Sequence, residues 1–237
     1  MLNKEGEKRY FYGRILYKLD KINKKIIIFA SGSGSNAVKI YEHFKSINHI
    51  DVAALYCNNP NAKVLERFKE FKIKTVLFSK TDFEGTRLLT GLNKIAPDLI
   101  VLAGFLLKMP KNITSFFQNK IINIHPALLP FYGGKGMYGL KIHQAVIKNK
   151  EKTSGLTIHY VNEKYDEGKI IFQKTIEIDK KETALSLSKK ILREEHLNYP
   201  IEIEKLEHKH LFWHPSGRQV LVSRETIFLS SMLNSLF

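Results

Sequence analysis

The sequence predicts an α/β fold: a mostly parallel, Rossmann-like sheet with helices on both faces, finished by a C-terminal antiparallel strand pair and a helix. Three observations carry this prediction. Residues 25–30 (Lys-Ile-Ile-Ile-Phe-Ala) and 98–105 (Asp-Leu-Ile-Val-Leu-Ala-Gly-Phe) are continuous apolar runs, as expected of strands covered on both faces. Between such runs lie segments with apolar residues at helical spacing, so strand and helix alternate. Further on, residues 154–161 and 170–178 alternate polar and apolar around the turn Tyr165-Asp166-Glu167-Gly168, the pattern of two antiparallel strands.

The elements follow in order. Residues 1–23 are polar, basic and aromatic without periodicity and are expected to form an N-terminal extension. The first buried strand, 25–30, runs into the small-residue turn Ser31-Gly32-Ser33-Gly34-Ser35-Asn36, and a helix follows with Val38, Tyr41 and Phe44 on one face. Residues 51–57 read as a second strand, closed by Asn58-Asn59-Pro60. A helix then carries Val64, Leu65, Phe68 and Phe71, and 75–78 is a short third strand. Leu88, Leu89, Leu92 and Ile95 line one face of a helix that Pro97 closes. A short helix over 113–117 connects the fourth strand to 121–125, where Ile121, Ile122 and Ile124 favour a strand and Pro126 ends it. Residues 131–139 are glycine-rich and are expected to act as a mobile lid. A helix over 140–148 and the antiparallel pair come next, then a helix from Thr183 that Pro200 is expected to interrupt near Asn198. Residues 205–237 fit no element of this pattern and are set apart as a C-terminal tail, leaving 24–204 as the working domain.

Composition limits the function classes. Hydrophobic residues make up 43% and charged residues 26% of the 237, and no apolar run approaches the roughly 20 residues of a membrane span. Cys57 is the only cysteine, so no internal disulfide forms. The N-terminus lacks the apolar core of a secretory signal, and a cytoplasmic location is expected. The net charge of +15 suits an anionic partner, either nucleic acid or a phosphorylated or polycarboxylate metabolite. Lys24-Lys25 and Lys180-Lys181 are pairs, not long basic arms, so scattered surface lysine accounts for the charge equally well. His208, His210 and His214 have no cysteine or carboxylate at metal-site spacing beside them, and no metal is expected.

Chemistry concentrates at three places. Asn123 and His125, two apart on a strand, project to the same side and put an amide donor beside a titratable imidazole. That pair suits a reaction at a carbonyl, one group holding an oxyanion and the other moving a proton. Gly34, Ser35 and Asn36 lie where a strand turns into a helix, and the helix N-terminus favours a phosphate. A dinucleotide is disfavoured, because the second strand ends at Cys57-Asn58-Asn59 with no carboxylate for a ribose hydroxyl. Asp166 is the natural third member: beside His125 it favours the imidazolium and raises its pKa. A turn aspartate also serves simply by bonding its own backbone, and spacing leaves both readings open.

In order, Ser-Gly-Ser-Gly-Ser-Asn (31–36), Pro-Asp-Leu-Ile-Val-Leu-Ala-Gly-Phe (97–105), Ile-Asn-Ile-His-Pro-Ala-Leu-Leu-Pro (122–130), Ser-Gly-Leu-Thr-Ile-His-Tyr-Val (154–161) and Asp-Glu-Gly (166–168) resemble the folate-dependent phosphoribosylglycinamide formyltransferases of purine synthesis. The resemblance spans about residues 25–200. It implies formyl transfer from 10-formyltetrahydrofolate, a co-substrate, to the glycinamide amine, with no metal. By the same likeness Gly34, Ser35 and Asn36 bind the substrate phosphate, and Leu106, Leu107, Lys108 and Met109, together with Asn123, contact the folate. Asn123 holds the oxyanion, His125 donates the proton, and Asp166 tunes His125 and positions a water. Leu107 stands where the family often has Arg, and Lys108 is the residue that could replace it. The expected partners are these small molecules, with no nucleic acid or membrane, and the protein is expected to be a monomer or homodimer. Methionyl-tRNA formyltransferase shares the Asn-Ile-His-Pro element, but the tail is too short for its tRNA-binding barrel. Formyltetrahydrofolate deformylase tends to have His where Pro126 stands. A basic nucleic-acid-binding module on the same scaffold has only Tyr10, Phe11, Tyr12 and Arg14 to support it.

Overall fold

A computed structural model describes residues 23–207, together with the backbone of 210–213 and 219–222. The N-terminal extension up to residue 22, its aromatic cluster at Tyr10, Phe11 and Tyr12, and His208 and His214 of the tail lie outside the described residues.

The chain forms β1 (Lys24–Ala30), α1 (Ser35–Phe44), β2 (Ile50–Cys57), α2 (Lys63–Glu70), β3 (Thr75–Leu77), α3 (Lys80–Glu84), α4 (Arg87–Ile95), β4 (Leu99–Leu102), α5 (Lys111–Phe116), β5 (Ile121–His125), α6 (Leu140–Lys148), β6 (Thr153–Tyr160), β7 (Ile170–Glu177) and α7 (Ala184–Glu207). Two short strands, β8 (His210–Trp213) and β9 (Gln219–Val222), pair antiparallel apart from the main sheet. The seven-stranded sheet has the order β3-β2-β1-β4-β5-β6-β7. The first five strands in that order run parallel, and β6 and β7 add antiparallel. The fold class read from the sequence is the one observed.

β1 shows why the apolar runs are continuous. Ile26, Ile28 and Ala30 pack into one core with Ile40 and Phe44 of α1, Val64 and Phe68 of α2, and Leu187 and Ile191 of α7. Ile27 and Phe29 face the opposite core, built from Phe83 of α3, Leu88 and Leu92 of α4, and Ile113 of α5. With helices on both sides neither face of the strand can be polar.

The chain runs outward from β1 to β2 and β3, then crosses back to β4 on the other side of β1. Connections therefore leave β1 and β4 in opposite directions, opening a crevice at their carboxyl ends. Ligands of open α/β sheets lie in such crevices.

The structure departs from the sequence reading at α3, at the last helix, and in the tail, where β8 and β9 were not expected. α3 was not foreseen; its Ser79–Asp82 capping box is the local signal that starts it. The last helix does not stop near Asn198 but continues through Pro200 to Glu207, past the division drawn at 204. Proline inside a helix costs about 3 kcal/mol. Here Pro200 is itself buried, Ile203 beyond it is fully buried, and Leu206 packs against the same core. Burying such side chains is worth about 1.5–3 kcal/mol each, which offsets the proline.

Candidate active site

β5 delivers Asn123 and His125 to the same side of the sheet, as their spacing requires. β6 lies antiparallel to it with Asn123 opposite His159 and His125 opposite Thr157. These cross-strand neighbours complete the site's floor. The Asn123 amide Nδ2 lies 3.2 Å from His159 Nε2, while His159 Nδ1 lies 2.9 Å from the Tyr160 carbonyl. That carbonyl can only accept, so Nδ1 carries a proton and donates to it, which leaves Nε2 facing the Asn123 amide.

Asp166 does reach His125. Its Oδ2 lies 3.7 Å from His125 Nδ1, and its Oδ1 lies 3.6 Å from His159 Nε2. The Gly134 N–H donates to Oδ2 at 2.9 Å, and the Asp166 backbone holds a left-handed φ of 54°. One carboxylate thus bridges two imidazoles, and Asn123 closes the cluster through His159. The other nitrogen of His125, Nε2, donates to the Tyr132 carbonyl at 2.8 Å. The glycine-rich segment expected as a mobile lid is therefore tied to the site at its start. Tyr132 also donates its hydroxyl to Glu151 at 2.6 Å and accepts from Asn149 at 2.8 Å. At Gly133 a Cβ would stand 2.7 Å from Leu129 Cδ2 and 3.2 Å from Asp166 Cβ, so only glycine lets this segment close over the aspartate.

The turn after His125 is pinned as well. Thr157 Oγ1 donates to Ala127 O at 2.7 Å and accepts from Leu129 N at 3.0 Å, and Gln173 Nε2 donates to Leu129 O at 2.9 Å.

Electrostatics correct one expectation. Asp166 does favour the His125 imidazolium, but burial outweighs it, and the His125 pKa lies below its ordinary value. His159 adds to the lowering, while the Tyr132 carbonyl opposes it. With 4% of its surface exposed, His125 has lost most of the water that would solvate a charge. Asp166 is itself desolvated, which alone would raise its pKa. The contacts with His159, His125 and the Gly134 N–H reverse that and hold it below the usual carboxylate value. At rest a carboxylate faces a His125 ring that burial keeps neutral.

Gly34 caps α1 in a left-handed conformation, φ 71°, with no side-chain cap and no acidic residue in the first turn. A Cβ there would lie 2.2 Å from Val64 Cγ2 on α2. The first-turn N–H groups, those of Ser35 and Asn36 included, have no intrahelical acceptor and stand at the positive end of the helix. The Asn36 side chain points elsewhere than expected. It is buried, and its Nδ2 donates to Glu195 Oε2 on α7 at 2.7 Å, while Oδ1 finds no hydrogen-bond partner among the described residues. Burial pushes the Glu195 carboxyl up to about 7, against the pull of Asn36. Glu195, Leu192, Ser188, His143, Leu140 and Pro126 line a cavity of about 280 Å³ that begins at the residue after His125. Burial and the neighbouring His125 push His143 down to about 4.

In the 106–109 segment Leu106 and Leu107 are exposed, whereas Met109 is packed into the core with Phe83, Phe105 and Ile113. Met109 can offer a ligand its backbone but not its side chain. Lys108 Nζ lies 5.9 Å from the Tyr165 ring centroid, and Lys108, Pro110, Lys111 and Glu163 line a second cavity of about 340 Å³. Among the described residues no group of three or more His, Cys, Asp or Glu is arranged to hold a metal. No described helix is long and apolar enough to cross a membrane.

The sequence reading missed His159 and Glu195. His159 was legible in principle: with Leu156, Ile158 and Tyr160 on one side of β6, Thr157 and His159 face the other, the side on which β5 presents Asn123 and His125. Glu195 carries no such signal, because only the packing of α7 against α1 brings it to Asn36.

Comparison with known proteins identifies the family. The formyl transferase family profile matches residues 24–203. A chloroplastic phosphoribosylglycinamide formyltransferase of Vigna unguiculata is 37% identical over 208 residues, covering 85% of this chain and 67% of that protein. The phosphoribosylglycinamide formyltransferase of Bacillus subtilis is 36% identical over 189 residues, covering 77% and 94%. Among solved structures, phosphoribosylglycinamide formyltransferase from Bacillus halodurans superposes with a TM-score of 0.70 at 33% identity, covering 77% of this chain and 95% of that one. The enzyme from Anaplasma phagocytophilum gives 0.73 at 28% identity, covering 85% and 95%. With a match over most of its length and relatives of this similarity, the chain belongs to the formyl transferase family.

Proposed function

We propose that this chain transfers a formyl group from 10-formyltetrahydrofolate to the amine of 5-phosphoribosylglycinamide, a step of purine synthesis. The observation that carries the reading is the cluster in which Asp166 bridges His125 and His159 while Asn123 stands beside them. It lies on the strand next to β4, whose carboxyl end faces that of β1 across the ligand crevice.

The ribonucleotide phosphate sits on the N–H groups of Gly34, Ser35 and Asn36 at the start of α1. The Asn36 side chain supports that turn through Glu195 and does not itself touch the phosphate. Folate lies along Leu106–Met109, with the two exposed leucines against its ring system and Lys108 facing its acidic end.

Formyl transfer moves one proton. The attacking amine sheds it when the new C–N bond forms, and the departing folate nitrogen takes one when the old C–N bond breaks. His125, neutral at rest, accepts the first proton and returns it to the leaving nitrogen, and Asp166 stabilises the imidazolium in between. The Asn123 Nδ2 donates to the oxyanion that develops on the formyl oxygen; one such donor is worth about 3–4 kcal/mol in the transition state. Placing both substrates in one crevice supplies on the order of 7–11 kcal/mol more.

The test is a formyl-transfer assay offering 5-phosphoribosylglycinamide and initiator methionyl-tRNA side by side. Formylation of the ribonucleotide is expected. Activity on the tRNA alone overturns the assignment, and activity on neither substrate leaves the scaffold as a binding module.

A further inference from the structure

Ser31 is the residue at which β1 gives way to the loop leading into α1. It stands on the crevice between β1 and β4. It is 6% exposed, and its polar groups are divided between two different loops. Its backbone N–H donates to Gly104 O at 3.1 Å, and its hydroxyl accepts from Leu106 N at 3.1 Å. Both partners belong to the segment after β4. The same hydroxyl donates to Asn58 Oδ1 at 2.7 Å, in the turn after β2. Asn59 Nδ2 donates to the Ser31 carbonyl at 3.3 Å, and the Gly32 carbonyl accepts from Val64 N at 3.2 Å at the start of α2.

A serine hydroxyl has one proton to donate and lone pairs to accept. Here the donated proton is committed to Asn58, which leaves an acceptor aimed at Leu106 N–H. The hydroxyl's orientation is therefore set by the turn after β2 and read by the segment after β4. Among the described residues a Cβ built on Gly32 meets nothing within 4 Å, so none of them fills the space beside the loop just past Ser31.

We propose that Ser31 is a positioning residue that couples the two halves of the site, so that a ligand ordering the 32–36 loop also orders the 104–109 segment. The inference rests on the proposed function, which assigns the phosphate to the first loop and the folate to the second. Because the link is a shared set of hydrogen bonds, the coupling must be reciprocal: each ligand tightens the other by the same factor. A net hydrogen bond of ordinary strength corresponds to about three- to tenfold in affinity.

Calorimetric titration of the full chain tests this. The dissociation constant of 5-phosphoribosylglycinamide is measured without and with saturating tetrahydrofolate, which lacks the formyl group and cannot react, and then in the reverse order. In the wild type each ligand is expected to tighten the other by about three- to tenfold. In Ser31→Ala the Leu106 N–H and the Asn58 Oδ1 lose their shared partner, and the ratio falls to about one. Asn58→Ala removes the anchor that orients the hydroxyl, touches neither ligand segment, and lowers the ratio as well; it carries the test if Ser31→Ala does not fold. In steady state Ser31→Ala raises both KM values while kcat at saturation stays within about threefold, whereas a simple loss of folded protein would lower kcat and leave the ratio intact. A wild-type ratio of one, or a ratio retained in the variants, overturns the inference and leaves the proposed function standing. Wild-type protein that binds neither ligand overturns the proposed function, and this inference with it.

Discussion

Asp166→Asn isolates the charge at the centre of the site. The amide keeps the shape of the side chain, and its oxygen can still accept from the Gly134 N–H at the position of Oδ2, 2.9 Å away. What disappears is the negative charge 3.7 Å from His125 Nδ1. Two unit charges at that separation attract by about 4 kcal/mol at an effective dielectric of about 20. The His125 cation exists only while the proton is in transit, so this attraction acts on the barrier and not on the resting protein. At about 1.4 kcal/mol per tenfold, and with the amide dipole retaining part of the effect, formyl transfer should slow by about 10²–10³. The pH profile gives an independent reading. Burial already holds the His125 pKa below its ordinary value, and Asp166 is the largest influence opposing it. Without the carboxylate the pKa falls further, and the acidic limb of kcat/KM moves to lower pH. The assay is formyl transfer at subsaturating ribonucleotide across about pH 5 to 9, run on both proteins. A loss smaller than about tenfold, or an acidic limb that moves upward, would refute the reasoning.

Three further predictions follow from other parts of the site. His125→Asn should abolish turnover while leaving ribonucleotide binding nearly intact; a variant with more than about a tenth of wild-type rate would remove His125 as the proton carrier. Gly34→Ala combines a left-handed φ of 71° with a Cβ 2.2 Å from Val64 Cγ2. Those two costs, about 1–2 and about 1–3 kcal/mol, should lower unfolding stability by about 2–5 kcal/mol and raise KM for the ribonucleotide, and an unfolding midpoint unchanged in urea would contradict the geometry. Glu195, raised from 4.5 to about 7, stabilises the fold fully below about pH 4.5 and loses that contribution as pH rises through about 7. His143, lowered from 6.5 to about 4, contributes above about pH 6.5 and loses it as pH falls through about 4. Each is worth about 3 kcal/mol and the two oppose each other. Glu195→Gln should therefore make stability rise more steeply with pH between about 4.5 and 6.5, and His143→Gln should make it fall; urea midpoints parallel to wild type in both variants would show that neither group titrates as its burial implies.

The apolar runs at 25–30 and 98–105 were legible because a strand covered on both faces has no polar side to disguise it. The pairing of Asn123 with His125 was equally legible, since a strand returns to the same face every two residues. The helix through Pro200 was not, because a local rule about a missing N–H says nothing of the core that Ile203 and Leu206 find beyond it. Asp166 shows the same division in one residue. Its chemistry beside a histidine could be stated in advance, but whether it bonded its own turn or crossed to His125 depended on β6 returning beside β5 and on Gly133 letting the next segment close over it.

The alternation of strands and helices, the helix-end loop at Gly34, and the amide and imidazole of β5 could all be read in advance, because each follows from backbone periodicity and from residue types adjacent in the chain. Packing was needed to bring Asp166 between two histidines, to turn Asn36 inward to Glu195, and to bury His125 so that it is neutral at rest. Those outcomes depend on distances between segments remote in sequence and on how much water is excluded where they meet. Both are properties of the packed molecule, and neither belongs to any stretch of it.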